Sequence, residues 1–390
     1  MKILAIETSC DDTGISILEI KGSKTPSFKV LSNIVSSQKI HKNYGGVFPM
    51  MAKREHQKNL VPVLKESLQK AKILKIKNAK IKNQNNNEKF KIIEKILEKE
   101  NNLYGSLKQF LEKYEKPNVD LIAVTNGPGL EPCLWVGVNF AKALSYFWDI
   151  PIVPVNHIEA HILINFLENP KIEFPAISLV VSGGHTQLIL VKKIGNYKIL
   201  GETRDDAAGE CFDKCAKILG LEYPGGPIIS KIASKINYSL IRTNKRIAGK
   251  IHLPRPMMNT KDYDFSFSGL KTAVLYATRG KKLTEQYVKE MCFEVQQAII
   301  DVLIKKTINA AKNHKAKTII LGGGVSANYE LRKQLGEKIN KDTPNTKYLI
   351  PDSALSTDNA LMIAVTGYFH KNKKISWQKI KADANLRISK

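Results

Sequence analysis

Cysteine is scarce in this sequence, and its spacing excludes two common kinds of site. The five cysteines stand at positions 10, 133, 211, 215 and 292, so no pair has the CxxC spacing of a structural zinc site. Nothing in their spacing indicates a disulfide framework, which favours a reducing compartment such as the cytoplasm. Cys211 and Cys215 lie four residues apart, and we predict that both are buried thiols on one helical face.

Long hydrophobic runs are also missing. No apolar stretch approaches the roughly 20 residues that a membrane-spanning helix requires, and the amino terminus turns polar at Glu7, too soon for a signal peptide. These absences predict a soluble, cytoplasmic protein without a membrane partner. The rest of the composition is typical of a folded chain, since 43% of the residues are hydrophobic and a length of 390 residues suits two domains.

Acidic residues are few relative to basic ones. The chain has 36 Asp and Glu against 61 Lys and Arg, which gives a formal charge of +25. Such an excess attracts polyanions, and a nucleic acid is the natural candidate partner. The alternative is a chain simply biased toward lysine, asparagine and isoleucine, so the charge by itself leaves both interpretations open.

A repeated arrangement of strands and polar turns predicts the fold class. The apolar strand Lys2–Ile6 is followed by a polar turn and a second strand, Ile15–Ile20. The same order returns at Ile177–Ser182 and Gln187–Val191, and a late buried strand is predicted at Thr318–Leu321. Helical segments alternate with these strands, so we predict an α/β protein of two similar halves with a cleft between them.

The composition shifts near residues 71–116 toward lysine, asparagine, glutamate and isoleucine. The run Asn83–Asn87 is polar and of low complexity. We therefore predict a flexible loop flanked by charged helices that contributes little to the core. Its lysines could follow a path of bound nucleic acid, but glutamates are interleaved with them, so a solvated spacer is the preferred interpretation.

Three glycine-rich turns could bring the backbone close to a phosphate or a sugar. They are Gly183-Gly184, Gly225-Gly226 and Gly322-Gly323-Gly324. The sequence has neither a Walker A loop nor a GxGxxG fingerprint. Any one of these turns could be purely structural, but three of them together favour a nucleotide held between two facing turns.

Two histidines are spaced as metal ligands often are. His157 and His161 lie four residues apart, so on a helix their side chains project from one face, within reach of one divalent ion. The pattern is not HExxH, which argues against a zincin protease. Asp358, near the start of a predicted helix, is a candidate third ligand. Helical histidine pairs are also often satisfied or solvent-facing without a metal, so the spacing leaves both interpretations open.

Acidic residues at turns form another candidate set. Asp11 and Asp12 follow the first strand, where a carboxylate could hold a cation or its water against a phosphate. Asp213 lies one turn into a predicted helix and could accept hydrogen bonds from ribose hydroxyls. Three acids at the start of that helix could simply stabilise the helix dipole; they are Asp205, Asp206 and Glu210.

Taken together, these segments resemble one family, the TsaD family of tRNA threonylcarbamoyladenosine transferases, whose members were formerly called O-sialoglycoprotein endopeptidases. The similar stretches run in order over nearly the whole chain apart from residues 71–116. They are Ile6–Gly14, Gly45–Pro49, Arg54–His56, Gly127–Leu130, Asn156–His161, Val181–Gln187, Asp205–Glu210, Phe212–Lys214, Tyr223–Pro227, Phe267–Thr272, Gly322–Asn328 and Thr357–Asn359. Chance agreement on that scale is negligible.

The resemblance implies an actin-like, sugar-kinase-like ATPase fold of two ribonuclease-H-like halves around a nucleotide cleft. On that basis we expect the first half at residues 1–172, the second at 173–355, and a C-terminal helix within 356–390 that returns to the first half. The implied activity is acyl transfer. The threonylcarbamoyl group moves from threonylcarbamoyl-adenylate to N6 of the adenosine 3′ of the anticodon, in tRNAs that read codons beginning with A, and AMP is released.

Site residues, cofactor and partners are also implied by the resemblance. A divalent metal, usually iron, with zinc or magnesium as alternatives, would bind His157, His161 and Asp358, which would be catalytic through that metal. The implied partners are tRNA and helper proteins, namely a TsaB-like inactive paralogue and a TsaE-like small ATPase. The implied substrate contacts are Val180, Val181, Ser182, Gly183, Gly184, Asp213, Gly226 and Asn328.

Three places depart from the family pattern, and three other functions share part of it. Met50 replaces a usual glutamate, Ala360 replaces a usual glycine, and 131–133 replaces small residues, but none of these changes removes a presumed ligand.

A small-molecule carbamoyltransferase or kinase of the same fold would share the glycine turns. A metalloprotease would need the HExxH helix. A non-catalytic scaffold paralogue would lose the histidine pair, which is intact here.

Overall fold

The computed structural model describes residues 1–22, 26–78, 86–236 and 251–389. A first five-stranded sheet has the order β3-β2-β1-β4-β5. Its neighbours β1/β2 and β2/β3 are antiparallel, whereas β1/β4 and β4/β5 are parallel. The strands are β1 (Lys2–Glu7), β2 (Asp12–Lys21), β3 (Ser27–Ser37), β4 (Leu121–Gly127) and β5 (Ile152–Asn156).

A second sheet repeats this plan with the order β8-β7-β6-β9-β10. Its pairs β6/β7 and β7/β8 are antiparallel, and β6/β9 and β9/β10 are parallel. The strands are β6 (Ala176–Val181), β7 (Thr186–Lys193), β8 (Asn196–Glu202), β9 (Thr318–Gly322) and β10 (Lys347–Leu349). The shared order and orientation confirm the predicted fold class, an actin-like, sugar-kinase-like α/β protein of two ribonuclease-H-like halves.

Helices cover both faces of the first sheet, as the alternating side chains of β1 require. Leu4 and Ile6 point into a cluster with α1 (Pro49–Lys70) and α4 (Glu131–Trp148). Ile3 and Ala5 point to the opposite face and join a cluster shared with the second sheet. Successive residues of a strand face opposite sides, so the uninterrupted apolar run Ile3–Ile6 within β1 predicts this double coverage.

Two helices in the cluster between the sheets position the candidate metal ligands. One carries His157 and His161, and the other begins just after Asp358. These are α5 (His157–Leu163) and α11 (Ala360–Phe369). The second helix packs against β1 and β2 of the first sheet. The predicted domain boundaries at residues 172 and 355 stay a prediction.

The remaining helices of the second half pack in one hydrophobic cluster on a single face of its sheet, and short 3-10 helices complete the described chain. Cys211 and Cys215 are buried, with their sulfur atoms 3.9 Å apart, which confirms the prediction for these thiols. None of the helices in the described ranges combines the length and apolar character that a membrane crossing requires. The helices are α6 (Ala208–Ile218), α7 (Gly225–Ala233), α8 (Ser268–Thr278), α9 (Glu285–Asn313) and α10 (Tyr329–Asp342).

The prediction that residues 71–116 contribute little to the core is wrong. This segment forms α2 (Asn86–Ile96) and α3 (Asn101–Lys113), and both helices pack into the core of the first half. Leucines recur every four residues in α3, so they form one buried stripe that the average composition conceals. Positions 83–85 of the predicted polar loop lie outside the described residues. The buried side chains are Phe90, Ile93, Leu97, Leu103, Leu107, Phe110 and Leu111.

Candidate metal centre and adjoining cleft

Three side chains that commonly bind metals converge beside the start of α5. The side chain of Asn156 accepts a hydrogen bond from the Glu159 amide at 3.1 Å and caps this helix. His157 and His161 then project from one face, with ring centroids 4.7 Å apart. Asp358 approaches from the segment just before α11, and one ligand-type atom from each of the three residues lies within 4.8 Å of the others.

The histidines are buried in a way that fits a metal centre. His157 Nε2 lies 3.5 Å from Asp358 Oδ1, and His161 Nε2 lies 3.3 Å from the same oxygen. Neither ring nitrogen of His161 has a hydrogen-bond partner of good geometry within the described part of the chain, and its one polar contact there is the ion pair with Asp358. Buried polar atoms are rarely left without a partner. A divalent ion would provide one, so the donor set fits such an ion.

Glu7 and Ser9 hold the other side of His157, and the sequence had given no reason to single them out. His157 Nδ1 lies 3.3 Å from Glu7 Oε2 and 3.2 Å from Ser9 Oγ. Glu7 is fully buried and also accepts hydrogen bonds from the Thr125 hydroxyl and the Ser9 amide, each at 2.5 Å. A carboxylate can only accept, so Nδ1 carries a hydrogen and Nε2 faces Asp358.

The charges of this cluster depend on one another. Burial would lower the pKa of His157, but Asp358 and Glu7 raise it to about 9. Burial lowers the pKa of His161. For Asp358 burial acts to raise the pKa, yet His157 and His161 hold it well below its usual range. At neutral pH the metal-free cluster therefore keeps a proton on His157, and binding of a divalent ion would release it.

Two further carboxylates, Asp11 and Asp12, stand where the turn after β1 leads into β2. Burial raises the pKa of Asp11, and it raises the pKa of Asp12 to about 7, with further increases from Asp358, Asp11 and Glu7. Carboxylates that disfavour one another's ionisation are typical of sites that receive a cation. The predicted cation-holding role of Asp11 and Asp12 stays a prediction, but their charge environment is compatible with it.

The glycine-rich turns differ in how closely they are packed. A Cβ atom at Gly322 would lie 2.6 Å from the carbonyl oxygen of His161, and one at Gly323 (φ +85°) would lie 2.4 Å from that of Val181. These two glycines therefore allow close packing of β9 against α5 and β6. Around Gly183 and Gly184 no atom of the described residues lies within 4 Å of such a Cβ, so this turn has room for a ligand.

Three of the other predicted contacts lead directly into this turn. Val180 and Val181 are buried at the end of β6, and Ser182 begins the turn, with its hydroxyl accepting a hydrogen bond from the His185 amide at 3.1 Å. A Cβ at Gly209 in α6 would lie 2.5 Å from the Ser182 carbonyl oxygen. Helix α6 thus packs its backbone directly against this turn.

Asp213 and Asn328 each support the start of a helix. Asp213 Oδ1 accepts a hydrogen bond from the Gly225 amide at 2.7 Å, and burial raises the pKa of this carboxyl group. Asn328 caps α10 through the Leu331 amide. Gly226, beside Gly225, packs more loosely, since a Cβ there would lie 3.7 Å from the Cβ of Phe212, at ordinary van der Waals distance. The substrate-binding roles of these residues stay predictions.

Asp205 has a capping role of a different kind from the one expected. Its carboxylate accepts hydrogen bonds from the Phe267 and Ser268 amides and from the hydroxyls of Ser266 and Ser268. It therefore holds the first turn of α8 rather than that of α6. Asp206 forms an ion pair with Lys214 at 2.6 Å.

Comparison with known proteins assigns the chain to a family. The family model for TsaD, described as tRNA N6-adenosine threonylcarbamoyltransferase, matches residues 29–81 and 100–365. The chain belongs to the TsaD family. The predicted family and enzyme class are thus confirmed, and the unmatched residues 82–99 include all of α2.

Curated relatives agree with this assignment over nearly their full lengths. A protein of Thermosipho africanus is 41% identical over 390 residues, covering all of both chains. One of Fusobacterium nucleatum is 42% identical over 378 residues, covering 96% of this chain and 93% of the relative. Both are named tRNA N6-adenosine threonylcarbamoyltransferase. Among solved structures, component A of the Acidaminococcus fermentans (R)-2-hydroxyglutaryl-CoA dehydratase has a TM-score of 0.49 at 11% identity, covering 95% and 99% of the two chains.

The departures from the TsaD pattern do not alter the histidine–aspartate cluster. Met50 lies in the first turn of α1 and is 57% exposed. Cys133 is buried, and its carbonyl oxygen accepts a hydrogen bond from the Thr8 hydroxyl at 3.0 Å. Ala360 is the first residue of α11, and the preceding Asn359 caps that helix. Alanine is a good helix former, so it is well tolerated there.

Replacing Asp12 with asparagine should change how the stability of this TsaD protein depends on pH. The folded pKa of about 7 exceeds the ordinary value of 3.8, so the folded state binds the proton more tightly. Protonation of Asp12 therefore stabilises the folded protein. This stabilisation is fully present below about pH 4 and is lost as the pH rises through 7. Metal-free Asp12→Asn cannot ionise, and we expect it to be more stable than wild type at pH 8 but not at pH 4.

Urea denaturation of the metal-free proteins at both pH values measures this difference. The exposed Asp149, replaced in the same way, is the matched control and should show no pH-dependent difference from wild type. An equal stability difference between Asp12→Asn and wild type at pH 4 and pH 8 would contradict the raised pKa.

Proposed function

We propose that this protein transfers the threonylcarbamoyl group from threonylcarbamoyl-adenylate to N6 of the adenosine 3′ of the anticodon, in tRNAs that read codons beginning with A. AMP is the second product. The observation that carries the proposal is the buried cluster of His157, His161 and Asp358 in a member of the TsaD family. The formal charge of +25 supports attraction to a polyanion such as tRNA.

In the proposed reaction the adenosine N6 amine attacks the carbamoyl carbon, the bond from that carbon to the AMP phosphate oxygen breaks, and the amine loses a proton. An exocyclic adenine amine is a poor nucleophile, so positioning and polarisation of the carbonyl group carry most of the rate.

Catalysis by a cysteine nucleophile is disfavoured near the cluster of His157, His161 and Asp358. Burial raises the pKa of Cys10 well above its usual value and that of Cys133 to about 12, so both remain thiols.

His157, His161 and Asp358 are proposed to hold one divalent ion, which would supply a Lewis acid and a template for the donor. Iron is the expected ion for this family, and zinc or magnesium are alternatives. The chain's own contribution is to prepare the ligands. Glu7 and Ser9 fix the ring of His157, and the proton that His157 holds in the metal-free protein leaves when the ion binds.

The donor is proposed to lie against the turn at 182–184. The open space at Gly183 and Gly184 supports this placement, because backbone amides there can approach a phosphate or a ribose. Gly226 is proposed as a further contact. Val180 and Val181 would form its apolar floor, and Asp213 and Asn328 would supply polar contacts. We propose tRNA as the acceptor, with a TsaB-like paralogue and a TsaE-like ATPase as helper proteins.

Transfer onto tRNA tests the proposed function directly. The purified chain is combined with both helper proteins, threonylcarbamoyl-adenylate and unmodified tRNA, and the tRNA nucleosides are analysed by mass spectrometry. We expect the modified adenosine and AMP in equal amounts. If the same products form at the same rate without this chain, it is a scaffold at most. If a small-molecule amine is carbamoylated in preference to tRNA, the acceptor assignment is wrong.

Asp213 offers a test of donor binding. Asp213→Ala should weaken adenylate binding by roughly 1.5–3 kcal/mol, because ribose hydroxyls lose a charged acceptor. Asp213→Asn separates this role from the structural one, since the amide oxygen can still accept the hydrogen bond from Gly225. We expect both variants to bind an adenylate analogue more weakly than wild type in calorimetric titration. If the asparagine variant binds like wild type, the carboxylate serves only to hold the start of α7.

A further inference from the structure

Glu159 lies between the two histidines in sequence but on the opposite face of α5. Each residue turns a helix by about 100°, so Glu159 is rotated by roughly 200° from both His157 and His161. Its side chain is nevertheless only 8% exposed. Because an unpaired buried charge is costly, a glutamate in this position requires polar partners.

Two side chains from distant parts of the sequence supply these partners, and both meet the same oxygen. The Tyr197 hydroxyl donates a hydrogen bond to Glu159 Oε1 at 2.6 Å, and His370 Nε2 lies 2.8 Å from this atom. Tyr197 belongs to β8 of the second sheet, and His370 caps the end of α11. Glu159 therefore connects α5 to β8 and to the end of α11, through partners that lie 38 and 211 residues away from it in sequence.

The position of His370 connects this network to the third candidate ligand. Asp358 stands two residues before α11 begins, and His370 directly follows its last residue. A ten-residue helix is about 15 Å long. Contacts near its two ends therefore fix both its position and its direction relative to α5. Between these contacts the two helices share the apolar core that lies between the sheets.

We propose that Glu159 is a positioning residue for the metal centre. Its contact with His370 fixes the position of α5, which carries His157 and His161, relative to α11, which follows Asp358. Its contact with Tyr197 fixes the position of α5 relative to the second sheet. Glu159 contacts no reacting group itself. The inference rests on the proposed metal-binding role of the three ligands. Metal ligands must be held within about 0.5 Å of their productive geometry, so a change in the packing of α5 against α11 alters affinity.

Titration of the metal-free, full-length protein with Co²⁺ tests this role, because the visible spectrum of the bound ion reports its coordination. We expect Glu159→Ala to weaken Co²⁺ binding about 10- to 100-fold, as loss of supporting partners does at other metal sites, and to change the spectrum. Tyr197→Phe should have a smaller effect in the same direction. Glu159→Gln keeps an oxygen that can accept from Tyr197 and should recover part of the affinity.

Matched measurements separate positioning from simple support of the fold. The exposed Glu168, replaced by glutamine, lies just beyond the same helical stretch and should bind Co²⁺ like wild type. Thermal unfolding is followed for every variant. Lower thermal stability with unchanged Co²⁺ affinity and spectrum in both Glu159→Ala and Tyr197→Phe would overturn the proposal. Tyr197→Phe removes a single hydroxyl, so it decides the question even if Glu159→Ala fails to fold.

The same titration distinguishes failure of this inference from failure of the metal centre. If folded wild-type protein binds no Co²⁺, the metal centre itself is wrong and the role of Glu159 falls with it. If wild type binds Co²⁺ and His161→Ala does not, the metal centre stands. Retained binding in the Glu159 and Tyr197 variants would then overturn only the positioning role.

Discussion

Replacement of His161 by alanine is expected to remove the bound metal and to lower transfer onto tRNA by roughly 100-fold or more, while the fold stays intact. The expectation follows from the surroundings of the ring. His161 is buried, and neither of its nitrogens has a hydrogen-bond partner in the described part of the chain. The substitution therefore breaks no hydrogen bond, and a direct ligand contributes more to metal binding than the supporting partners whose loss costs 10–100-fold.

His157→Ala should have the same effect on metal content but a larger effect on stability. It leaves the buried carboxylate of Glu7 without the imidazole that lowers its pKa, although the contacts from Thr125 and Ser9 remain. The comparison of the two variants thus separates ligand loss from disruption of the surrounding hydrogen bonds.

Metal content is measured by elemental analysis of the purified proteins, and folding by circular dichroism. His252→Ala, at an exposed histidine, is the control and should match wild type in every measurement. Unchanged metal content in both single variants at the cluster would remove the ligand assignment. Metal loss with normal transfer would instead show that the ion has no part in the reaction.

The fold class could be predicted from the sequence because it follows from a repeated local pattern. The grouping of His157, His161 and Asp358 as candidate metal ligands needed the family resemblance as well as the histidine spacing. Alternating strands and turns repeat in each half, and the spacing of His157 and His161 places them on one helical face. The supporting carboxylates were not predictable in this way. Glu7 ends an apolar strand and Glu159 lies on the far side of a helix, and their roles depend on partners up to 211 residues away.

The glycine turns show the same limit. Sequence alone predicted that all three could approach a ligand, but the packing divides them. Gly322 is needed for close contact with the His161 backbone, whereas Gly183 and Gly184 leave open space. Only the arrangement of neighbouring elements decides which glycine is structural and which is available to a substrate.

Leu107→Ala is expected to destabilise the first half of the protein by about 2–5 kcal/mol, the range typical of a buried leucine. Leu107 is fully buried in α3, within the cluster that also contains residues of α1 and α4. The neighbouring Gln109 is exposed, and its replacement by alanine should change the free energy of unfolding by less than about 0.5 kcal/mol. Urea denaturation of both variants measures the difference.

The contrast with Gln109 makes this prediction a test of what residues 86–113 do. Average composition suggested a spacer, but leucines at 103, 107 and 111 place one apolar face of α3 against the core. Equal stability of the two variants would restore the spacer interpretation.

The cluster that contains Leu107 lies on the face of the first sheet opposite α5. Leu107→Ala should therefore lower stability without changing the affinity of the folded protein for Co²⁺, whereas the variants at Glu159 should change that affinity.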